Sequence, residues 1–333
     1  MTKATVSRVS ADSIPVRRRV AKSIAVLGNP NSGKSTVFNR LTGLRQKTGN
    51  YPGVTVERHT GTLLTDGGSL DLIDLPGTFA LSAASLEERI AVDVVLGRMP
   101  DTERPAGILA VVSATHLYQG LYLLQQVMEL DLPVVVALTM TDAAEAGGVR
   151  IDLDALERHL GGVRVCPVVG TTGQGFDELR AALAAIGEQA PPALPEFWPE
   201  LSRAAEDLRA RIGESLPRIE VERALVDVDS DIADDVAIRL GTDGAALLAA
   251  RRSELFGSEP PLAEEARHRY RWARRVRDEV QQSAPVLTTM ATRITAWFNR
   301  PVPGTISLFV VMAIVFQAVF AWATPLMDAI DAA

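Results

Sequence analysis

One cysteine, Cys166, stands in 333 residues, so neither a disulfide framework nor a cysteine-ligated zinc can organise this chain. It falls in an apolar run, where a small buried hydrophobe is expected. The four histidines, His59, His116, His159 and His268, are scattered without metal-ligand spacing and read as surface or packing residues. An excess of basic charge is also missing. With 34 Lys and Arg against 41 Asp and Glu, the net charge of −7 argues against a general nucleic-acid binder, so no nucleic-acid partner is expected. Nor is a secretory signal expected, since Arg17, Arg18 and Arg19 are followed by no apolar run with a cleavage site. Residues 1–21 are expected to form a flexible tail, and the front of the chain to stay in the cytoplasm.

What is present is a core-forming composition, 47% hydrophobic and 23% charged, in a length that suits two folded units and an appendage. Short apolar runs at 23–27, 70–75, 107–112, 133–138 and 163–169 predict strands. Helix-length segments at 34–41, 86–97, 117–130, 153–160 and 176–186 alternate with them. That alternation predicts an α/β fold with a mostly parallel sheet covered on both faces, spanning 22–188. Four prolines within 189–199 mark a linker, and 196–283 then reads as a small all-helical domain without strands. Its arginine-rich helix, 262–282, is expected to turn a solvated face outward, with Glu264 and Glu265 one turn before His268 and Arg269.

The chemistry sits on the first unit. Gly28-Asn29-Pro30-Asn31-Ser32-Gly33-Lys34-Ser35 satisfies the P-loop pattern between a predicted strand and helix. Glycines let backbone N–H groups of Asn29, Ser32 and the following residues through Thr36 turn around phosphates. Lys34 neutralises the β and γ oxygens, Ser35 ligates Mg²⁺, and the helix start faces the anion. Asp74, in Asp74-Leu75-Pro76-Gly77, suits the Mg²⁺ shell, and the Gly77 amide can reach a γ-phosphate. Between these motifs, Gly53-Val54-Thr55 supplies a threonine for a loop that closes on Mg²⁺. Lys34, Thr55 and Gly77 are thus the candidate catalytic groups. Thr78 stands where many such enzymes carry a water-orienting glutamine, so slow hydrolysis is expected.

The base end is less regular. Thr139-Met140-Thr141-Asp142 stands where Asn-Lys-x-Asp reads guanine. Asp142 keeps the carboxylate that accepts from guanine N1 and N2, whereas Thr139 gives up an amide and Met140 a lysine stem. Gly170, Thr171 and Thr172 follow the last strand, where backbone amides meet the base oxygen. Guanine nucleotide, GTP or GDP, is the expected ligand.

Near the C-terminus, Thr305 to Ala323 is almost unbroken hydrocarbon with no charge. Nineteen residues at 1.5 Å each span roughly 28 Å, which predicts a transmembrane helix at 304–323. A juxtamembrane segment at 284–303 precedes it and a tail at 324–333 follows. Trp297 and Trp322 flank the run, and the basic residues before it put the preceding domains on the cytoplasmic side of a lipid bilayer.

Taken together, the P-loop, the stretch Gly49-Asn50-Tyr51-Pro52-Gly53-Val54-Thr55-Val56-Glu57 and Asp74-Leu75-Pro76-Gly77-Thr78 resemble the ferrous iron transport protein B family. The helical domain and the span containing Gln317 extend the likeness to nearly the whole chain. The resemblance implies a G domain, a helical domain that modulates nucleotide release, and a GTP-dependent Fe²⁺ transporter of the inner membrane. It also implies K⁺ stimulation through the asparagine that matches Asn31. The family usually has Asn at the place of Thr139 and Ser at that of Gly170. One span is present where the family has many, so the chain reads as truncated after it, or as one half of a split transporter. Its partners would then be the remaining membrane domain and small Feo accessory proteins. The alternative is a membrane-tethered switch GTPase that transports no metal.

Overall fold

The computed structural model describes residues 22–43, 46–51, 54–65, 68–81, 85–100, 102–213, 216–228, 230–283, 294–295 and 297–319. The expected N-terminal tail, Gly53, most of the juxtamembrane segment, the end of the apolar run and the C-terminal tail lie outside them.

The predicted strands appear as β1 (Lys22–Gly28), β4 (Gly68–Asp74), β5 (Gly107–Ser113), β6 (Val134–Thr139) and β8 (Arg164–Val168), parallel to one another. A hairpin that apolar periodicity did not announce, β2 (Gln46–Asn50) and β3 (Glu57–Thr65), adds two antiparallel strands beside β4. The resulting seven-stranded sheet has the order β2-β3-β4-β1-β5-β6-β8. β2 is exposed along its whole length, which explains why its polar sequence gave no strand signal.

Side chains alternate between two cores, as the pleat requires. Ile24, Val26, Leu109, Val111, Val135 and Ala137 pack beneath α1 (Lys34–Thr42) and α6 (Phe176–Ala185). Ala25, Leu27, Ala110, Val112, Val136 and Leu138 face the opposite layer, which holds α2 (Leu86–Val95), α3 (Leu117–Met128) and α5 (Leu153–His159). Cys166 is buried, as its apolar setting implied. Both faces are therefore covered, and every parallel strand opens its carboxyl end toward the same rim.

Beyond the proline-rich segment come α7 (Pro199–Arg211), α8 (Arg218–Val226), α9 (Asp231–Leu240) and α10 (Gly244–Phe256), which share a separate core of Trp198, Leu201, Leu208, Val221, Leu225, Val236 and Phe256. The next helix, α11 (Pro261–Val280), corrects two expectations. It is not an outlying member of a strandless domain: Trp272, Ala273, Val276 and Val280 join the core under α3 and α5. The chain then forms β9 (Gln281–Ser283), paired antiparallel with β7 (Val149–Ile151).

Nor is its arginine run wholly a solvated face. Arg271, Arg274 and Arg275 point outward, but Arg269 shares the inward stripe and is 2% exposed. It pairs with Glu265 and, at 2.7 Å, with Glu129 at the end of α3, while Arg223 of α8 reaches the same Glu265. Burial pushes the Glu129 carboxyl upward, and Arg269 opposes that shift. A buried charge must be paired, so this cluster fixes how the helices meet the sheet unit.

The described residues within 22–145 and 149–283 make one compact unit, and α12 (Pro301–Gln317) belongs to a second. None of the α12 side chains is buried. Its 17 residues rise about 25 Å, and no helix among the described residues is long and apolar enough to cross a membrane.

Candidate functional site

The described residues among those predicted for the site gather at the carboxyl rim of the parallel strands, where open α/β sheets bind ligands. β1 ends in Gly28, whose added Cβ would lie 2.6 Å from the Val111 carbonyl, so no other residue fits. Asn31 (φ 63°) and Gly33 (φ 86°) then take the left-handed conformation that bends the backbone into a cradle. Lys34 and Ser35 open α1, and Lys34 points across to Asp74 at the end of β4, with Nζ and Oδ1 2.5 Å apart.

The two phosphate motifs are stitched together by main chain. The Leu75 amide donates to the Val26 carbonyl (3.1 Å) and the Thr78 amide to the Gly28 carbonyl (3.2 Å). Gly77 lies beside Pro30, where an added Cβ would stand in ordinary contact, 3.4 Å from its nitrogen. Thr78 is buried and its hydroxyl donates to the Ala80 carbonyl, which makes it a loop brace. The Leu81 amide donates to Gln126 of α3 at 2.6 Å, anchoring the segment farther on.

Inside the cradle, the Asn29 side-chain nitrogen and the Ser32 hydroxyl are buried without partners. Buried donors left unmatched are costly, and here they line a turn whose geometry suits an anion. Asn29 through Ser32, with Phe79, His116 and Gln119, also border a cavity of about 210 Å³. The donor set fits magnesium: a hydroxyl at Ser35 and a carboxylate at Asp74 are hard oxygen ligands next to that cradle.

Thr55 is exposed in the bend between β2 and β3. Because β3 runs antiparallel to β4 with His59 opposite Asp74, residues 54–56 emerge at the same rim as Asp74. Tyr51 closes that loop from below. Its amide donates to the Val56 carbonyl (3.0 Å), and burial pushes its hydroxyl up to about 12, so it stays neutral.

At the base end, Thr139 lies at the end of β6 and is buried. Its hydroxyl donates to the Ser32 carbonyl at 2.6 Å and sits 3.2 Å from the Val112 carbonyl. Residue 139 thus braces the phosphate loop. Met140 adopts φ 56°, and its sulfur lies 3.4 Å from the Ser113 hydroxyl. Asp142 is exposed on the first turn of α4 (Thr141–Ala146). Gly170, Thr171 and Thr172 follow β8, with both threonines exposed. The Thr36 side chain packs so close to Gly170 that a Cβ there would meet it at 2.7 Å.

Sequence reasoning missed Arg40, which holds that last loop. It donates from Nε to the Gly170 carbonyl (2.6 Å) and from Nη2 to the Thr171 carbonyl (2.7 Å). No motif flags it. Only its place, one helical turn after Thr36 on the same face, offered a signal.

This geometry has known counterparts. The model of the family described as "Ferrous iron transport protein B" matches residues 22–183. The Fe(2+) transporter FeoB of Salmonella typhimurium is 41% identical over 199 residues, 59% of this chain and 25% of that protein. The chain therefore spans about a quarter of the length of the curated relatives it matches. Among solved structures, a mutant NFeoB of S. thermophilus bound to GDP has a TM-score of 0.67 and 31% identity, over 78% of this chain and all of that one. The cytosolic domain of the T. maritima FeoB iron transporter in its GMPPNP form has a TM-score of 0.62 and 25% identity, over 79% of this chain and all of that one. The chain belongs to the ferrous iron transport protein B family, and residues 22–183 carry its N-terminal G domain.

Proposed function

We propose that this chain binds and hydrolyses GTP as the cytoplasmic portion of a GTP-dependent Fe²⁺ transporter of the cell membrane. The observation that carries the reading is the phosphate cradle: left-handed Asn31 and Gly33, buried unpaired donors at Asn29 and Ser32, and Lys34 facing Asp74. Kinship with FeoB proteins bound to GDP or GMPPNP supports a guanine ligand.

In this mechanism the amides from Asn29 to Thr36 and the Lys34 ammonium bind the phosphates and offset charge that builds on the leaving oxygens. Ser35, Asp74 and Thr55 would hold Mg²⁺, which supplies further charge neutralisation to the β and γ oxygens. The Gly77 amide orients the γ-phosphate. Thr78 is committed to a main-chain contact, so the attacking water is positioned by backbone groups and turnover is slow. The Asn31 side-chain oxygen would hold K⁺ beside the same phosphates. Asp142 accepts from guanine N1 and N2, and the 170–172 amides face its O6. Loss of the γ-phosphate frees the Thr55 loop, a two-state element that the helical domain can sense. The apolar run at 304–323 attaches the chain to the bilayer, where the remaining membrane domain and small Feo proteins would be its partners.

The test is phosphate release by residues 1–290 with Mg²⁺-GTP. Turnover that Lys34→Ala abolishes supports the reading; no turnover above the buffer rate contradicts it.

A further inference from the structure

Helix α1 touches both ends of the site. Its first residues, Lys34 and Ser35, belong to the phosphate cradle, and its last turn carries Arg40. From there Arg40 spends both arms of its fork on consecutive carbonyls, those of Gly170 and Thr171. Its guanidinium also lies over the Phe176 ring, 5.6 Å from the centroid. The brace is reciprocal, because Arg180 of α6 donates to the Arg40 carbonyl at 3.1 Å. Around this clamp the two glycines of the loop, Gly170 and Gly173, stand close to their neighbours. A Cβ at Gly173 would meet Arg40 Nη1 at 2.5 Å, and one at Gly170 would meet Thr36 Cγ2 at 2.7 Å.

We propose that Arg40 is a positioning residue for guanine recognition: by tying down the carbonyls of residues 170 and 171, it fixes the peptide units whose amides face the base O6, and so sets the rate of nucleotide release. This rests on the reading of residues 170–172 as the base loop. A carbonyl held on one side of a peptide orients the N–H on the other, so two anchored carbonyls fix two donors before the ligand arrives. Pre-organisation of that kind slows dissociation more than it speeds association. Lysine cannot reproduce it, since a point charge lacks the planar fork that bridges two adjacent carbonyls.

The experiment compares wild type, Arg40→Ala and Arg40→Lys. Release of fluorescent GDP should quicken about tenfold in Arg40→Ala, the worth of roughly 1.4 kcal/mol for surface hydrogen bonds, and by less in Arg40→Lys. Three nucleoside diphosphates then separate a clamp from general loosening. The preference for GDP over the 2-aminopurine analogue, which lacks O6, should fall. The preference for GDP over IDP, which lacks the amine read by Asp142, should stay. Unchanged GDP release, or equal weakening for all three ligands, overturns the proposal. Amide exchange of residues 170–175 without nucleotide reads the clamp independently of whether guanine is the ligand: faster exchange in Arg40→Ala supports it, and unchanged exchange refutes it. Failure of wild type to prefer guanine would instead overturn the functional reading.

Discussion

At the phosphate end, Gly28, Asn31 and Gly33 shape the main chain, and the partners proposed for the ligand are amides; at the proposed base end, the side chain of Asp142 would meet the ligand, while those of Thr139 and Met140 turn to Ser32 and Ser113. The first arrangement admits no side chain at Gly28, because a Cβ there collides with the neighbouring strand. The second tolerates exchange where the new group can find another use. Thr139 lacks an amide for the base, yet its hydroxyl holds Ser32 from behind. The two ends are therefore coupled through residue 139 as well as through α1, and a change at one should be felt at the other.

The most direct way to break the contrast is to remove charge at the phosphate end. Lys34→Ala should weaken GTP binding by about 2–3 kcal/mol, the value of hydrogen bonds to a charged group, with a smaller loss for GDP. Titration with fluorescent analogues of both nucleotides checks it, and equal losses would mean that Lys34 does not serve the γ-phosphate. The base end should respond in kind instead of in strength. Asp142→Asn exchanges an acceptor for a mixed group, so the preference for GDP over XDP should fall by about 1–3 kcal/mol or reverse. Retained preference for GDP would place guanine reading elsewhere.

Thr139→Val sharpens the comparison further. It keeps the volume and deletes the hydroxyl, leaving the buried Ser32 carbonyl without its donor, at a cost of about 1–2 kcal/mol. We expect GDP and ADP to lose affinity alike, because the damage is to the shared phosphate loop. A loss confined to guanine nucleotides would return residue 139 to the base. Smaller still is the effect of the monovalent cation. Hydrolysis should be faster in KCl than in NaCl at equal ionic strength, and Asn31→Ala should erase the difference. Identical wild-type rates in the two salts would remove K⁺ from the mechanism.

These contrasts track what could be read from the sequence. The parallel strands were legible because burial on both faces makes them continuous apolar runs, as in β5 (Gly107–Ser113), where every residue is buried. The phosphate loop was legible because its glycines answer to backbone geometry, which is local. The hairpin was not: β2 is polar and exposed, and its pairing with β3 is set by the sheet it joins. The role of α11 was hidden for a related reason. Six arginines suggested one solvated face, yet Arg269 falls on the inward stripe with Glu265 and Trp272, and its burial is tolerable because Glu265 on its own helix and Glu129 across the interface both pair with it. Arg40 was invisible because its partners are carbonyls 130 and 131 residues away.

The account stands or falls on the identity of the base. Residues 1–290 should be titrated with fluorescent GDP, GTP, ADP and ATP in Mg²⁺ at one ionic strength. It predicts saturable binding of both guanine nucleotides, with adenine nucleotides weaker by at least about tenfold, the worth of one hydrogen bond to the Asp142 carboxylate. Equal affinity for guanine and adenine nucleotides would contradict it.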